Sequence, residues 1–334
     1  MYNILLCSAG KRVKLIKQLK ESLKNRGLVI VTDYDKNTPA MYAADKSYAV
    51  PKITDQKYIE MLIEICKKEN IKAITTLIDP EIEILSKADS LFNKNGVLML
   101  VPSYKTAKLC MDKYAMYEYL NENNINTIKS YINLELFYED FHEGLIGFPC
   151  FIKPRFGSGS FGARIVYSKK ELEFYFSYDS MIIQEFMEGV DINVDIYVDC
   201  YSLEIISLFA KQKLQSKIGG ACRVLSYKDN RLDEFIRKIN KIFEFHGPAD
   251  IDLFYQNGSY FITEINPRFG GGYIYAHALN VDFTPLIIKN IEKKVNSIKV
   301  HQYKENLLMM MYDEILIKNH SCTINPVVDA KLDP

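Results

Sequence analysis

Apolar and polar positions along this chain follow two rhythms, and the change between them divides it. Up to about residue 102, short apolar runs take turns with segments whose apolar residues recur every three or four positions. Residues 2–7 read as a buried strand, Leu15, Ile16, Leu19 and Leu23 form one helical face, and residues 28–32 read as the next strand. A helix carrying Ile59, Leu62, Ile63 and Cys66, a strand at 73–78, a helix at 82–92 and a strand at 97–101 complete the series. This alternation predicts a parallel sheet covered by helices, with ligands at the carboxyl ends of its strands.

From Ser103 onward, after a helix reaching about Asn121, strands dominate: 148–153, 163–167, 181–186, 190–199, 203–211, 249–256 and 259–266. They predict an α+β body built on antiparallel pairs. The clearest pair is joined at Asn257-Gly258, two residues that tolerate positive φ in a tight hairpin turn. Met309, Met310 and Met311 read as a buried strand, and beyond about Ser321 periodicity is lost. The expected fold class is therefore α/β followed by α+β.

Composition narrows the function. The 334 residues include 48% hydrophobic positions, enough for a large core, and 42 Lys+Arg balance 42 Asp+Glu. Without net positive charge there is no sequence-independent attraction for nucleic-acid phosphates, so a small-molecule partner is expected. No apolar run approaches the roughly 18 residues of a spanning helix, and the apolar stretch after Asn3 is closed by Lys11 and Arg12 rather than built as a signal peptide. A cytoplasmic protein with no membrane partner is expected. Seven scattered cysteines, never spaced C-x-x-C, argue against a disulfide framework or a zinc site, and the five histidines share no metal spacing.

Three segments carry candidate chemistry. In residues 151–166, Lys153 ends one strand and Gly157, Gly159 and Gly162 precede the next, so backbone N–H groups and an ammonium can approach an anion; a mobile turn is the plainer alternative. Asp250 and Asp252 share one strand face, and Glu264 and Asn266 share one face of the partner strand. Such oxygen donors suit a hard cation, although a wet, polar hairpin face has the same pattern. A plain two-residue turn would set Asp252 opposite Thr263 and turn Glu264 away, so a cation site here requires a longer turn or a bulge. The third segment, Gln184 to Asp195, reads as strand, break and alternating strand, the pattern of a hinge over a ligand or of an ordinary half-exposed strand.

In order along the chain, these pieces resemble the ATP-grasp superfamily from about Ser103 to Phe283. Among its members the chain is similar to small stand-alone relatives of the carbamoyl-phosphate synthase large subunit, with a biotin-carboxylase-like parallel-sheet domain over residues 1–102. The elements that carry the resemblance are Met111-Asp-Lys113, residues 148–154 with the glycine loop, Gln184-Glu185 followed by Gly189-Val-Asp191, and Asp252 separated by eleven residues from Glu264-Ile-Asn266-Pro-Arg268. The resemblance implies that Lys113 and Lys153 contact ATP phosphates and that the loop with Gly157, Ser158, Gly159 and Ser160 closes over them. It implies that Glu185, with Gln184, Phe186 and Met187, meets adenine and that Asp191 holds the ribose. Asp252, Glu264 and Asn266 would bind Mg²⁺, two ions by family likeness with Mn²⁺ as an alternative. Arg268 would stand beside the γ-phosphate and an acyl phosphate.

The implied architecture is an N-terminal domain at 1–102, a small lobe with the phosphate lid at 103–189, a large lobe with the metal site at 190–320, and a tail at 321–334. The implied activity is ATP-dependent ligation of a small-molecule carboxylate to an amine or ammonia, with ADP as product; a homo-oligomer is compatible with this. Carbamoyl-phosphate synthesis is not expected, because it needs two synthetase halves. Lys211, Lys213 and residues 219–223 fall where relatives place substrate-facing loops, with Arg223 a candidate to hold a carboxylate or phosphate. Gly10 and Asp79 stand at strand ends where substrate is also expected, or else serve as a tight turn and a helix cap. Two other readings are weighed. A non-catalytic ATP-binding regulatory module would lack a phosphate lysine, a metal acid or the arginine, and all are present. A dinucleotide oxidoreductase is disfavoured because the first strand is not followed by G-x-G-x-x-G.

Overall fold

The computed structural model describes residues 1–157, 162–176, 180–217, 220–299 and 303–317. The first unit runs β1 (Asn3–Cys7), α1 (Val13–Leu23), β2 (Val29–Asp33), α2 (Pro39–Ala43), β3 (Lys46–Ala49), α3 (Tyr58–Lys68), β4 (Ile71–Thr76), α4 (Asp79–Lys87), α5 (Asp89–Lys94) and β5 (Leu98–Met99). Its five strands are all parallel, in the order β3-β2-β1-β4-β5. Leu15, Ile16, Leu19 and Leu23 of α1 are buried on the sheet, as their spacing predicts. The expected helix at 82–92 is two helices, broken at Ala88, whereas α2 and β3 have no counterpart in the periodicity reading.

Two helices then lead out, α6 (Tyr104–Met111) and α7 (Lys113–Glu122). The single helix expected there is interrupted because Asp112 adopts extended φ and ψ and caps α7, its Oδ1 accepting from the N–H groups of Tyr114 and Ala115 at 3.1 and 3.2 Å. A small lobe follows: β6 (Ser130–Tyr131), α8 (Leu134–His142), β7 (Cys150–Pro154), β8 (Arg164–Val166), α9 (Lys169–Phe176) and β9 (Met181–Glu185), with its four strands ordered β6-β9-β7-β8.

The large lobe contains β10 (Val190–Val198), β11 (Ile205–Lys217), β12 (Gly220–Tyr227), α10 (Asn230–Asn240), β13 (Gly247–Gln256), β14 (Ser259–Asn266), α11 (Tyr273–Ala278), α12 (Thr284–Ile291) and β15 (Leu308–Met310). Its antiparallel sheet has the order β14-β13-β10-β11-β12-β15. Residues 219–223, expected as a substrate-facing loop, prove otherwise where described: residues 220–223 open β12, paired with β11, because Ala221 and Val224 turn inward. Lys211 and Lys213 likewise belong to a strand, not a loop. Of the methionine run, Met309 and Met310 enter β15 and Met311 lies past its end, and the strand is a thinly covered edge: Met310 is 58% exposed. Ser158, Gly159, Ser160, Gly219 and the tail from 318 lie outside the described residues.

A continuous apolar core joins the first unit to the large lobe, with Leu6, Leu15 and Leu19 packing into the same cluster as Phe269, Tyr273 and Phe283. Among the described residues no helix is long and apolar enough to cross a membrane.

Candidate functional site

Strand alternation divides the large-lobe sheet by face. Ile192, Val194, Ile196 and Val198 of β10 are buried against α10 and its neighbours, which leaves Asp191, Asn193 and Asp195 on the opposite face. Directly opposed residues share a face, so the pairs Asn193↔Lys211, Asn193↔Asp252 and Asp195↔Asp250 extend that polar surface across three strands. On the β13–β14 hairpin, Gln256↔Ser259 through Leu253↔Ile262 follow a regular two-residue turn at Asn257 and Gly258. The register then shifts, and Asp252 stands opposite Glu264. Thr263 is the extra residue of this bulge, the device a shared cation site requires.

A cavity of about 600 Å³ lies between this face and the small lobe. Lys113, Lys153, Gly157, Gln184, Glu185, Phe186, Met187, Asp191, Asp252 and Glu264 all line it, so most of the expected nucleotide and metal residues converge. Ile128, Phe151, Ile165 and Phe254 add an apolar sleeve that the motif reading did not single out. The clue to Phe254 lay in β13, two positions beyond Asp252 on the same face.

Each cation is held differently. Lys113 starts α7, directly after the Asp112 cap, and its Nζ donates to the Gly157 carbonyl at 2.6 Å. Arg155 grips Asp112 with two hydrogen bonds, at 2.7 and 2.6 Å, and so ties the glycine-loop strand to that helix start. Lys153 is buried and paired with Ile182 through the β7–β9 ladder, yet its ammonium has neither a hydrogen bond nor an ion pair with any described residue. Burial pushes its ammonium down to about 8, Glu264 pulls it back up, and Lys113 adds repulsion. A buried ammonium without a counter-ion, beside a second lysine, is a charge that an anion would complement.

Lys213 bridges two acids, with Nζ 2.7 Å from Asp191 and 2.9 Å from Asp252. Burial alone would raise the Asp252 carboxyl, but Lys213 and the Asn193 amide, at 2.9 Å, hold it below the ordinary range. Asp191 is raised by burial despite Lys213. The Glu264 carboxylate, facing the same cavity, has no hydrogen-bond or ion-pair partner among the described residues.

Two expected catalytic residues lie elsewhere. Arg268 does not line the cavity. Its Nη2 donates to Asp79 Oδ2 at 2.9 Å, its Nε is 2.8 Å from Asp79 Oδ1, and its Nη1 donates to the Phe269 carbonyl at 3.2 Å. Arg223 is exposed on β12, opposite Gln215 on one side and Met310 on the other, and the structure brings it to none of the site residues. Lys211, fully buried, is instead ion-paired with Asp195.

Comparison with known proteins bears on this arrangement. A family model described as an ATP-grasp domain matches residues 110–272, and one described as a PylC-like N-terminal domain matches residues 4–100. The chain carries an ATP-grasp domain behind a PylC-like N-terminal domain. Among curated relatives, the carbamoyl phosphate synthase arginine-specific large chain of Bacillus subtilis is 22% identical over 258 residues, covering 74% of this chain and 24% of that one. The chain spans about a quarter to a third of the length of the first curated relatives it matches. The crystal structure of N5-carboxyaminoimidazole ribonucleotide synthetase from Thermotoga maritima superposes with a TM-score of 0.67 at 21% identity, over 90% of this chain and 78% of that one. The biotin carboxylase domain of the Hydrogenobacter thermophilus 2-oxoglutarate carboxylase, determined with MgADP and bicarbonate, gives 0.70 at 14% identity, over 92% and 73%.

The ATP-grasp cavity passes a test of fit to nucleotide and metal. Its lysines offer positive charge for phosphates, and its apolar lining offers a slot for a base. Among the described residues no three His, Cys, Asp or Glu side chains close around an ion by themselves. The donor set is two opposed carboxylates with an amide on the same strand face, a set that suits Mg²⁺ completed by phosphate oxygens.

Proposed function

We propose that this protein is an ATP-dependent carboxylate–amine ligase. Lys113 and Lys153 bind the phosphates, residues 184–187 hold adenine against Phe151 and Ile165, and Asp191 takes the ribose. Asp252, Glu264 and Asn266 hold Mg²⁺, two ions by family likeness with Mn²⁺ as an alternative. The metal supplies charge neutralisation of the triphosphate. A carboxylate oxygen of a small-molecule substrate attacks the γ-phosphorus and ADP leaves; an amine or ammonia then attacks the acyl carbon, loses a proton and expels inorganic phosphate. Arg268 meets the charge that develops on the transferring phosphoryl group. The same reading assigns residues 1–102 to the N-terminal domain, 103–189 to the small lobe, 190–320 to the large lobe and 321–334 to a tail, in a cytoplasmic protein.

The observation that carries this reading is the unpartnered, buried Lys153 ammonium in one cavity with the opposed carboxylates of Asp252 and Glu264. A regulatory module has no need of a complete metal set. Incubating the chain with MgATP and pairs of carboxylic acids and amines, and following ADP, tests it. Release that depends on one acid supports the ligase, and release independent of every acid contradicts it.

A further inference from the structure

Asp79 and Arg268 lie 189 residues apart and join the N-terminal domain to the loop that follows the metal strand. Asp79 is the first residue of α4, where the helix dipole favours a carboxylate. That helix start is itself anchored: Glu81, fully buried, accepts from Thr76 Oγ1 at 2.6 Å and from the Tyr58 hydroxyl. Asp79 is thus carried on a rigid element, and it shares a crevice with Gly157, Glu264 and Asn266 at the phosphate and metal end of the site.

The guanidinium has five N–H donors. Asp79 ion-pairs along the side formed by Nε and Nη2 but accepts a hydrogen bond from Nη2 alone, and Phe269 takes one hydrogen of Nη1. The Nε–H, 2.8 Å from Asp79 Oδ1 but out of hydrogen-bond alignment, stays on the Asp79 side, and one N–H on each terminal nitrogen is free of any acceptor among the described residues. The closest carboxylate to that end is Asp250, 3.9 Å from Nη1 and so beyond hydrogen-bond reach. Arg12, from the same N-terminal domain, donates to the Gly270 and Phe269 carbonyls at 2.9 and 3.4 Å and clamps the backbone beside Arg268.

We propose that Asp79 is a positioning residue for Arg268: the N-terminal domain occupies one side of the fork and so presents the free end, one N–H from each terminal nitrogen, to the phosphoryl group. This rests on the role given above to Arg268. It makes the N-terminal domain a part of the transfer machinery and not only a cover for the large lobe.

The test compares the wild-type full chain with Asp79→Ala, Arg268→Ala and the double variant, using MgATP and the acid that supports ADP release. Asp79→Ala lowers kcat at least about tenfold while MgADP affinity stays within about threefold, because the interaction acts on transfer and not on ground-state binding. The double variant is no slower than Arg268→Ala by more than about twofold, the non-additivity of residues acting as a unit. Asp79→Glu, which keeps the charge, regains part of the rate, and Asp79→Asn serves the same comparison should the alanine variant not fold. Additive losses in the double variant, or a wild-type rate for Asp79→Ala beside a slow Arg268→Ala, overturn the positioning role and leave the ligase reading intact. MgATP binding without acid-dependent ADP release in the wild type overturns the ligase reading and this role with it.

Discussion

Asp252 and Glu264 face each other across the β13–β14 hairpin because one bulge, with Thr263 as its extra residue, shifts the register just beyond Leu253↔Ile262. The two carboxylates thereby share the face that also carries Asp191, Asn193 and Asp195. Asp252→Asn and Glu264→Gln should each raise the Mg²⁺ concentration needed for tight ATP binding by about tenfold or more, since each removes one charged donor from a small set. Calorimetric ATP titrations at stepped Mg²⁺ check this. Unchanged Mg²⁺ dependence in both variants would remove the metal assignment.

Lys153 should set the pH dependence of nucleotide binding. Its ammonium titrates at about 8 in the free protein, so ATP affinity should fall as pH rises through that value, because the phosphates then have to recruit a proton. Lys153→Met should flatten the profile and cost about tenfold to hundredfold in affinity at pH 7. The same variant should melt higher at pH 7, because a buried charge is removed. Between pH 8 and the ordinary lysine range the unfolded chain holds the proton that the folded chain releases, so wild-type stability contains a term that rises with pH there, and the variant lacks it. Isotherms and melting curves across pH 6.5–9.5 read both effects.

Much of this site was legible in the sequence because its signals are local. The hairpin turn at Asn257 and Gly258, the alternation through Asp191, Asn193 and Asp195, and the Lys153 strand end depend on near neighbours, and the need for a bulge followed from counting positions between Asp252 and Glu264. The remainder depends on contacts far apart in sequence. Nothing near Arg268 announces Asp79 as its partner, and Gly219-Gly220 ahead of Arg223 reads locally as a loop although pairing with β11 draws residues 220–227 into a strand. Short β3 and α2 carry too few periodic positions to register.

Gly270 should tolerate no side chain. A Cβ there would overlap Asp250 Oδ1 and crowd Asp195 Oδ1, the latter a buried oxygen without a hydrogen-bond partner among the described residues. Gly270→Ala should therefore cost on the order of 2 kcal/mol or more by forcing buried charges apart. Gly258→Ala, in open space at a positive φ of 82°, should cost only about 1 kcal/mol. Urea denaturation of both variants compares them, and equal losses would contradict the close approach of the glycine backbone to the buried acids.

If a carboxylate oxygen attacks the γ-phosphorus, that oxygen must leave in the inorganic phosphate, and its fate can be followed with an isotope. With MgATP, the amine and the substrate acid labelled with ¹⁸O in its carboxylate, mass spectrometry of the products should show ADP together with inorganic phosphate carrying one ¹⁸O atom for each amide formed. AMP bearing the label, with pyrophosphate as the second product, would mean that the carboxylate attacks the α-phosphorus and that no acyl phosphate forms.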